Sequence, residues 1–134
     1  MFRIVVTSYT TLQTDGPHRA AYAEAGCELV PGPFIRWSTE EELLESVTDC
    51  DAVLCTTDQF TERVFAAAPR LKIVSRFGVG YDTIDVEAAT KHGVWVTITP
   101  GINHLAVADH TLALLLAVAR QVVPLVNMVE AGGW

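Results

Sequence analysis

The chain has 134 residues, the size of a single domain at about 150 residues per domain. Nine Lys and Arg against 16 Asp and Glu give a formal net charge of −7, and the cations form no basic run. We therefore expect neither nucleic acid nor an anionic membrane as a partner. Half of the residues are hydrophobic and 19% are charged, which excludes a disordered chain. This charged fraction lies below the roughly 25–35% aimed for on monomer surfaces, so we expect an apolar surface that packs against a partner.

Neither a signal peptide nor a membrane span is predicted. The apolar stretch at the amino terminus is only a few residues long, whereas a signal peptide needs about 7–15. The longest apolar run, residues 112–119, is also far shorter than the roughly 20 residues of a membrane helix. The cysteines are odd in number and lack metal-site spacing, so free thiols are favoured over a disulfide or zinc at Cys27, Cys50 and Cys55. These features predict a cytoplasmic protein.

Short β-branched runs alternate with helical stretches along the chain, which is typical of a parallel sheet with crossover helices. Pro17 opens the first predicted helix, and Ser38 with Glu41 forms a capping box for the second. Thr61 and Asp85 cap the third and the fourth. We predict an α/β fold, a flavodoxin-like doubly wound sheet of five parallel strands, at residues 2–6, 27–30, 52–55, 71–75 and 94–97.

A long apolar stretch, from Asn103 to Met128, follows the fifth strand. Its apolar residues cover most of the circumference of a helix, and a helix that is apolar on all sides must be buried. Pro124 is expected to bend or break this helix locally. A five-strand domain has little room to bury it, so we expect either a dimer through this element or a second domain packed on it. The final Gly-Gly-Trp at residues 132–134 is interpreted as the entrance to a linker.

Residues 77–82, Phe-Gly-Val-Gly-Tyr-Asp, partly match a dinucleotide-binding fingerprint. The match is weak because Thr83 replaces the third glycine and no acidic ribose partner follows on a later strand. Two explanations of the glycines stay open. Gly78 and Gly80 let consecutive N–H groups form an anion nest, to which Arg76 adds a charged donor. Alternatively, the glycines serve a tight turn that needs positive φ.

Residues 7–14, Thr-Ser-Tyr-Thr-Thr-Leu-Gln-Thr, form a hydroxyl-rich segment after the first strand. Flavodoxins hold a flavin phosphate at this place, so a free-standing module that binds FMN or a small anion is an alternative function. Phe60, Phe77 and Tyr81 offer rings to a flavin without being diagnostic of one. The simpler interpretation is a polar turn whose hydroxyls cap backbone groups.

The histidines do not form a catalytic or metal-binding set. His104 and His110 are six residues apart, about 240° around a helix, so they do not share a face. Asp109 and His110 point about 100° apart, which prevents a side-chain relay. We therefore predict no catalytic residue and no metal site in this chain.

Three motifs occur together and in order: Val-Gly-Tyr-Asp-x-Ile-Asp at residues 79–85, Thr-Pro-Gly-x-Asn at residues 99–103, and the apolar helix. With them the sequence resembles the D-isomer-specific 2-hydroxyacid dehydrogenases, close to the phosphoglycerate dehydrogenase branch. The resemblance is dense from residue 70 onward and follows the strand order from residue 2. It implies an NAD- or NADP-dependent enzyme that moves hydride between the nicotinamide and C2 of a D-2-hydroxy acid.

The resemblance assigns residues 1–101 to a substrate-side (catalytic) domain. It assigns residues 102–134 to an interdomain and dimerisation helix that leads to a Rossmann NAD-binding domain. The family's catalytic Arg, Glu and His lie beyond Trp134 by this comparison. The chain is therefore expected to be truncated, to be inactive alone and to bind no dinucleotide tightly.

The same resemblance implies a role for each site residue. Backbone N–H groups of Val79 and Gly80 hold the substrate carboxylate in the turn that Gly78 begins, and Val79 also lies near the nicotinamide. Arg76 is a substrate-side or supporting cation, and Asn103 is a polar contact at the interdomain cleft.

One departure from the family pattern bears on the substrate. Cys55 stands where phosphoglycerate dehydrogenases tend to place a substrate-binding Arg, so a small 2-hydroxy or 2-keto acid is favoured over a phosphorylated one. Thr83, Ile98 and Asp109 are milder departures. The expected assembly is a homodimer through the helix at residues 102–130.

Overall fold

The strands and their crossover helices follow one another in the predicted order, with one additional short helix after the first strand, and the strand bounds agree with the prediction within two residues. The computed structural model describes residues 1–33 and 38–133. The elements are β1 (Phe2–Val6), α1 (Tyr9–Gln13), α2 (Pro17–Glu24), β2 (Cys27–Pro31), α3 (Glu40–Val47), β3 (Ala52–Cys55), α4 (Glu62–Ala66), β4 (Ile73–Arg76), α5 (Val86–Lys91), β5 (Trp95–Thr97), α6 (His104–Ala119) and α7 (Val122–Glu130).

The five strands form one parallel sheet in the order β2-β1-β3-β4-β5. Val5 of β1 pairs with Val30 of β2 on one side and with Val53 of β3 on the other. The chain runs from β1 outward to β2 and then back across to β3, so the strand order reverses between β1 and β3. The predicted α/β fold with a doubly wound, five-strand parallel sheet is confirmed. In such sheets ligands bind beside this reversal, at the carboxyl ends of the strands.

Helices α3, α4 and α5 cover one face of the sheet with a continuous apolar core. Phe60, just after β3, has its ring centroid 5.9 Å from that of Phe65 in α4. Because branched and small side chains alternate with polar ones along these helices, each helix presents a single apolar face to the strands. The buried helix residues are Leu43, Val47, Val64, Phe65, Ala88 and Ala89.

The amino ends of β1, β3 and β4 are joined by a charged cluster. Arg70 contacts Asp49 at 2.7 Å and Asp51 at 3.0 Å, and Arg3 contacts Asp49 at 3.2 Å. The backbone N–H of Arg3 also donates to the Asp51 carboxylate at 2.9 Å. This N–H donor and the Arg70 guanidinium lower the pKa of Asp51. The cluster therefore holds the strands together at their amino ends, whereas such sheets bind ligands at the carboxyl ends.

The helices over the core begin at side-chain caps, with one correction to the prediction. Thr61 and Asp85 cap α4 and α5 as expected, accepting from the N–H groups of Val64 and Ala88. The capping box of α3 joins Thr39 to Glu42, one residue later than the predicted box at Ser38 and Glu41. Ser38 is buried and donates instead to the carbonyl of Pro33, which leaves Thr39 as the first residue able to cap the helix.

Residues from Gly101 onward form a second compact unit, separate from residues 1–100. The expected single helix is two helices, α6 and α7, bent by 61°. The break falls at Arg120 and Gln121, where Gln121 adopts a left-handed φ of 53°. The predicted break at Pro124 is wrong because Pro124 lies in the first turn of α7, where its missing N–H leaves no helical bond unmade.

All side chains of α6 and α7 are exposed apart from the half-buried Ala117. Leu115, for example, is 63% exposed. Across residues 1–33 and 38–133, no single helix is long and apolar enough to cross a membrane, and only the bent pair of α6 and α7 reaches that length and composition together. The apolar surface expected from the composition is therefore concentrated in this second unit.

Candidate functional site

The turn after β4, residues 77–83, lies at the carboxyl edge of the sheet and is tied to both neighbouring strands' ends. The N–H of Phe77 donates to the carbonyl of Cys55 at 2.8 Å, at the end of β3. The N–H of Thr99, just after β5, donates to the carbonyl of Gly78 at 2.9 Å. The predicted residues Gly78, Val79 and Gly80 thus lie in this turn, and Arg76 ends the strand before it, at the carboxyl ends of the strands where such sheets bind ligands.

Neither Gly78 nor Gly80 adopts a positive φ, so the interpretation that the turn needs glycine for a left-handed backbone is wrong. Without left-handed residues the turn does not form an alternating anion nest either. A Cβ on Gly78 would lie 3.4 Å from Nε of Arg76, and one on Gly80 would lie 3.2 Å from the Asp82 carboxylate. Both neighbours are side-chain atoms, so the fold alone does not demand glycine at either place.

Two amide groups of this turn point to ligand binding. Within the part of the chain that the structure describes, no backbone carbonyl accepts from the N–H of Val79 or Gly80. The Val79 side chain is 41% exposed. Adjacent unpaired amides beside a residue without a side chain can donate to a small anion that approaches the backbone closely. The carboxylate-binding role of Val79 and Gly80 stays a prediction with this geometry in its favour.

Arg76 closes the turn. Its Nη1 donates to the hydroxyl of Thr83 at 2.9 Å, which joins the two ends of the glycine segment. Its Nε is buried without a partner among the described residues. The guanidinium is therefore partly committed to the turn itself, and of the two roles predicted for Arg76 the supporting one accords with this contact.

A buried pair between the ends of β1 and β3 was not predicted from the sequence. The hydroxyl of Thr7 donates to Oδ2 of Asp58 at 2.5 Å, and the N–H of Thr56 donates to the same oxygen at 3.1 Å. Both Thr7 and Asp58 are buried. Their separation of 51 positions hid the pair, and the only available signal was that β1 and β3 were both expected at the strand-order reversal.

The hydroxyl-rich segment after β1 contains helix α1, where a polar turn was predicted. Its hydroxyls bond to one another: Thr11 donates to Ser8 at 2.9 Å, and Ser8 and Thr10 lie 3.2 Å apart. They border a cleft of about 490 Å³ lined by Thr10, Thr11, Thr14, His18, Tyr22, Leu54, Ser75, Phe77 and Thr99. These hydroxyls are hydrogen-bonded to one another, and a helix stands where a phosphate-binding loop would be needed. The flavin-binding alternative therefore gains no support from this segment.

The thiol at the end of β3 is not reactive. Burial, with the nearby charge of Asp58, raises the pKa of Cys55 to about 12. Burial likewise raises the pKa of Cys50 to about 11. A nucleophilic cysteine requires a lowered pKa, so both thiols stay protonated and belong to the core.

The remaining predicted site residue belongs to the second unit. Asn103 is the N-cap residue of α6, and its side chain makes no capping hydrogen bond. His104, next to it, bonds through Nδ1 to the carbonyl of Gly101. A role for Asn103 at an interdomain cleft stays a prediction.

The chain is similar to a known family of dehydrogenases. Residues 17–131 match the model for the D-isomer specific 2-hydroxyacid dehydrogenase catalytic domain. Among curated proteins, the glyoxylate reductase of Thermofilum pendens is 43% identical over 110 residues, which cover 81% of this chain and 32% of that protein. The chain spans about a third of the length of this relative.

Solved structures agree with the sequence comparison. The TT0316 protein from Thermus thermophilus superposes with a TM-score of 0.82 at 36% identity, over 98% of this chain and 41% of that one. The NAD⁺-bound 3-phosphoglycerate dehydrogenase of Entamoeba histolytica superposes with a TM-score of 0.71 at 28% identity, over 87% of this chain and 38% of that one.

Proposed function

Because this chain belongs to the catalytic-domain family of the D-isomer specific 2-hydroxyacid dehydrogenases, we propose that it forms the substrate-binding part of an NAD(P)-dependent oxidoreductase. The complete enzyme would act on the CH–OH group of a D-2-hydroxy acid. The observation that carries this proposal is the turn at residues 77–83. It has two unpaired backbone amides, and neither its backbone conformation nor its packing requires a glycine at Gly80.

In this proposal the chain's own residues bind and orient the acid. The amides of Val79 and Gly80 donate to the substrate carboxylate, and the absence of a side chain on Gly80 lets that carboxylate reach the backbone. Arg76 holds the turn closed through Thr83. Holding the carboxylate at two donors orients C2 for the chemical step.

The nicotinamide cofactor supplies the acceptor or donor of the hydride at C2. The turn fits a contact with that ring but not the binding of a whole dinucleotide. Val79 presents an apolar, 41% exposed side chain suited to packing against a flat ring. Thr83 in place of a third glycine leaves no pyrophosphate-binding fingerprint here. The relative from Entamoeba histolytica is described as NAD⁺-bound, which supports NAD as the cofactor of the complete enzyme.

A small, unphosphorylated acid fits this chain best. Cys55 is buried and uncharged at the position where the family comparison placed a cation for a phosphate. Glyoxylate is the substrate named for the curated relative from Thermofilum pendens. We therefore propose glyoxylate, or a 2-keto acid of similar size, as the oxidised substrate.

The direct test is reduction of glyoxylate by the full-length protein, followed as NADH or NADPH consumption. We expect Gly80→Ala to raise KM for glyoxylate about 10-fold or more, because a methyl group occupies the space beside the amides. Ala66→Ser, a small change at an exposed position of α4 outside the turn, is the control and should leave KM unchanged. An unchanged KM in Gly80→Ala would contradict the assigned turn.

We propose that the 134-residue chain alone is inactive, since the acid–base pair that its described residues do hold, His92 and Glu62 at 2.8 Å, links the end of α5 to α4 and lies outside the turn at residues 77–83. Calorimetric titration with NADH should give binding weaker than low-micromolar. Tight binding of NADH to this chain would overturn the division of roles between it and a nucleotide-binding part. A cytoplasmic location for the complete enzyme stays part of the proposal.

We also propose that α6 and α7 form a homodimer contact. Their exposed apolar residues, such as Leu115 and Val126, are an unusual surface for a monomer. Leu115→Glu should convert a dimer into a monomer in analytical ultracentrifugation of the full-length protein. Thr90→Glu, an exposed change on α5, should leave the mass unchanged. A dimer that survives Leu115→Glu would show that this helix is not the contact.

A further inference from the structure

The buried pair of Thr7 and Asp58 is costly for the fold. A carboxylate removed from water needs compensating donors, and a cation is the usual one. Among the described residues, Asp58 accepts from two donors, the Thr7 hydroxyl at 2.5 Å and the Thr56 N–H at 3.1 Å, both on Oδ2. No Lys, Arg or His within the described ranges forms an ion pair with it. Two apolar side chains would join β1 to β3 without this cost.

The loop that carries Asp58 is tied at both ends to the substrate turn. At its start, the Cys55 carbonyl accepts from the N–H of Phe77 at 2.8 Å. At its end, the N–H of Phe60 donates to the Thr83 carbonyl at 2.9 Å, and the Phe60 carbonyl accepts from the N–H of Asp85 at 2.8 Å. The loop at residues 56–59 and the turn at residues 77–83 are therefore joined through the residues that flank the loop, and we expect a displacement of one to displace the other.

The position of this loop relative to β1 depends on the Thr7 hydroxyl. Thr7 itself is held in the sheet, because its N–H donates to the carbonyl of Leu54 at 3.0 Å. Its side chain then fixes Asp58, which in turn fixes the N–H of Thr56 at the start of the loop. A hydrogen bond to a charged acceptor is shorter and stronger than one between neutral groups, so this contact tolerates little displacement.

We propose that Thr7 and Asp58 are positioning residues for substrate binding. They fix the position of the turn at residues 77–83 relative to the carboxyl end of β1. This rests on the proposed function, because the affected quantity is the fit of a 2-keto acid to the amides of Val79 and Gly80. Neither residue touches substrate in this proposal. Their effect passes from the end of β1 through the Asp58 loop to the turn.

The test compares Thr7→Val, which keeps the shape and removes the donor, with Thr7→Ser, which keeps the hydroxyl. In the full-length protein we expect Thr7→Val to raise KM for glyoxylate about 10-fold, with a smaller change in kcat, because losing one hydrogen bond to a charged group loosens the turn. Thr7→Ser should restore KM to within about twofold of the wild type. Thr90→Val, which removes a hydroxyl bond on α5, is the control and should change neither constant.

The outcomes separate the two proposals. A wild-type protein that reduces no small 2-keto acid overturns the proposed function and the pair's role with it. An active wild type with the same KM in Thr7→Val, measured below the Tm of the variant, overturns the positioning role alone. If Thr7→Val does not fold, Thr7→Ala takes its place against Thr7→Ser, and equal KM values for that pair would likewise overturn the role. A KM increase in Thr7→Val that Thr7→Ser does not show supports it.

Discussion

Residues 1–100 bury their apolar side chains beneath α3, α4 and α5, whereas the unit from Gly101 onward exposes its own on α6 and α7. Phe65 of α4 is 1% exposed, while Leu115 of α6 is 63% exposed. Both segments are helical and rich in apolar residues, so composition does not separate them. The difference lies in the sheet, whose face is covered by α3, α4 and α5. An apolar helix without such a face needs another surface to cover it.

The largest effect that sharpens this contrast is a core truncation. Phe65→Ala should lower the free energy of unfolding by about 3–5 kcal/mol, because it leaves a cavity against Phe60. Leu115→Ala in α6 should change the same free energy by less than about 0.5 kcal/mol in the monomeric chain. Urea denaturation followed by fluorescence and circular dichroism measures both. Equal losses would break the contrast between a buried and an exposed unit.

The second effect concerns helix starts. Asp85 accepts from the N–H of Ala88 at 2.9 Å, whereas Asn103 at the start of α6 makes no such bond. Asp85→Ala should therefore cost about 1 kcal/mol, and Asn103→Ala close to nothing. The same urea titrations test this, and Asp85→Asn, which retains an acceptor, is the control. An equal cost at Asn103 would mean that its side chain caps α6 in solution.

A smaller gain is expected at the bend of the second unit. Gln121 is the single non-glycine residue with positive φ among those the structure describes. Gln121→Gly should stabilise the unit by about 0.5–1 kcal/mol, because glycine adopts this conformation without the Cβ penalty. Thermal denaturation followed at a helical wavelength measures it. Glycine at Gln59, an exposed position with ordinary φ, is the control and should not stabilise.

The smallest effect is one of pH and belongs to the first unit. The pKa of Asp51 is lowered by the Arg3 N–H and by Arg70. Its contribution to stability is therefore full above the ordinary pKa of about 3.8 and is lost as pH falls through the lower folded value. Asp51→Asn should show a shallower loss of stability in acid than the wild type. Parallel curves of Tm against pH for the two proteins would contradict this assignment.

Regular elements could be predicted from the sequence because their signals are local. The strands, the caps at Thr61 and Asp85 and the glycine turn each depend on residues within one short segment. The capping box of α3 moved by one residue because Ser38 found a partner in Pro33. The Ser38 hydroxyl can bond either to the helix or to the preceding segment, and the capping motif alone does not show which it chooses.

Features that join distant segments escaped prediction. The Thr7 and Asp58 pair depends on β1 and β3 lying side by side. A local feature was also misplaced: the bend of the second unit falls at Gln121 although Pro124 is the stronger helix breaker, because proline is harmless in a first turn. The two glycines of the turn also suggested a backbone with positive φ. Gly78 and Gly80 do not adopt one, because the contacts that anchor the turn decide its conformation.

The charged cluster of Arg3, Asp49, Asp51 and Arg70 has a consequence for how this protein can change over evolutionary time. It ties three strands together at their amino ends, at the opposite end of the sheet from the turn at residues 77–83. Substitutions near residues 77–83 therefore leave these ion pairs between the strands intact. Under the proposed function, variants that prefer a different acid can therefore arise in this turn without loss of the contacts that hold the amino ends of the strands.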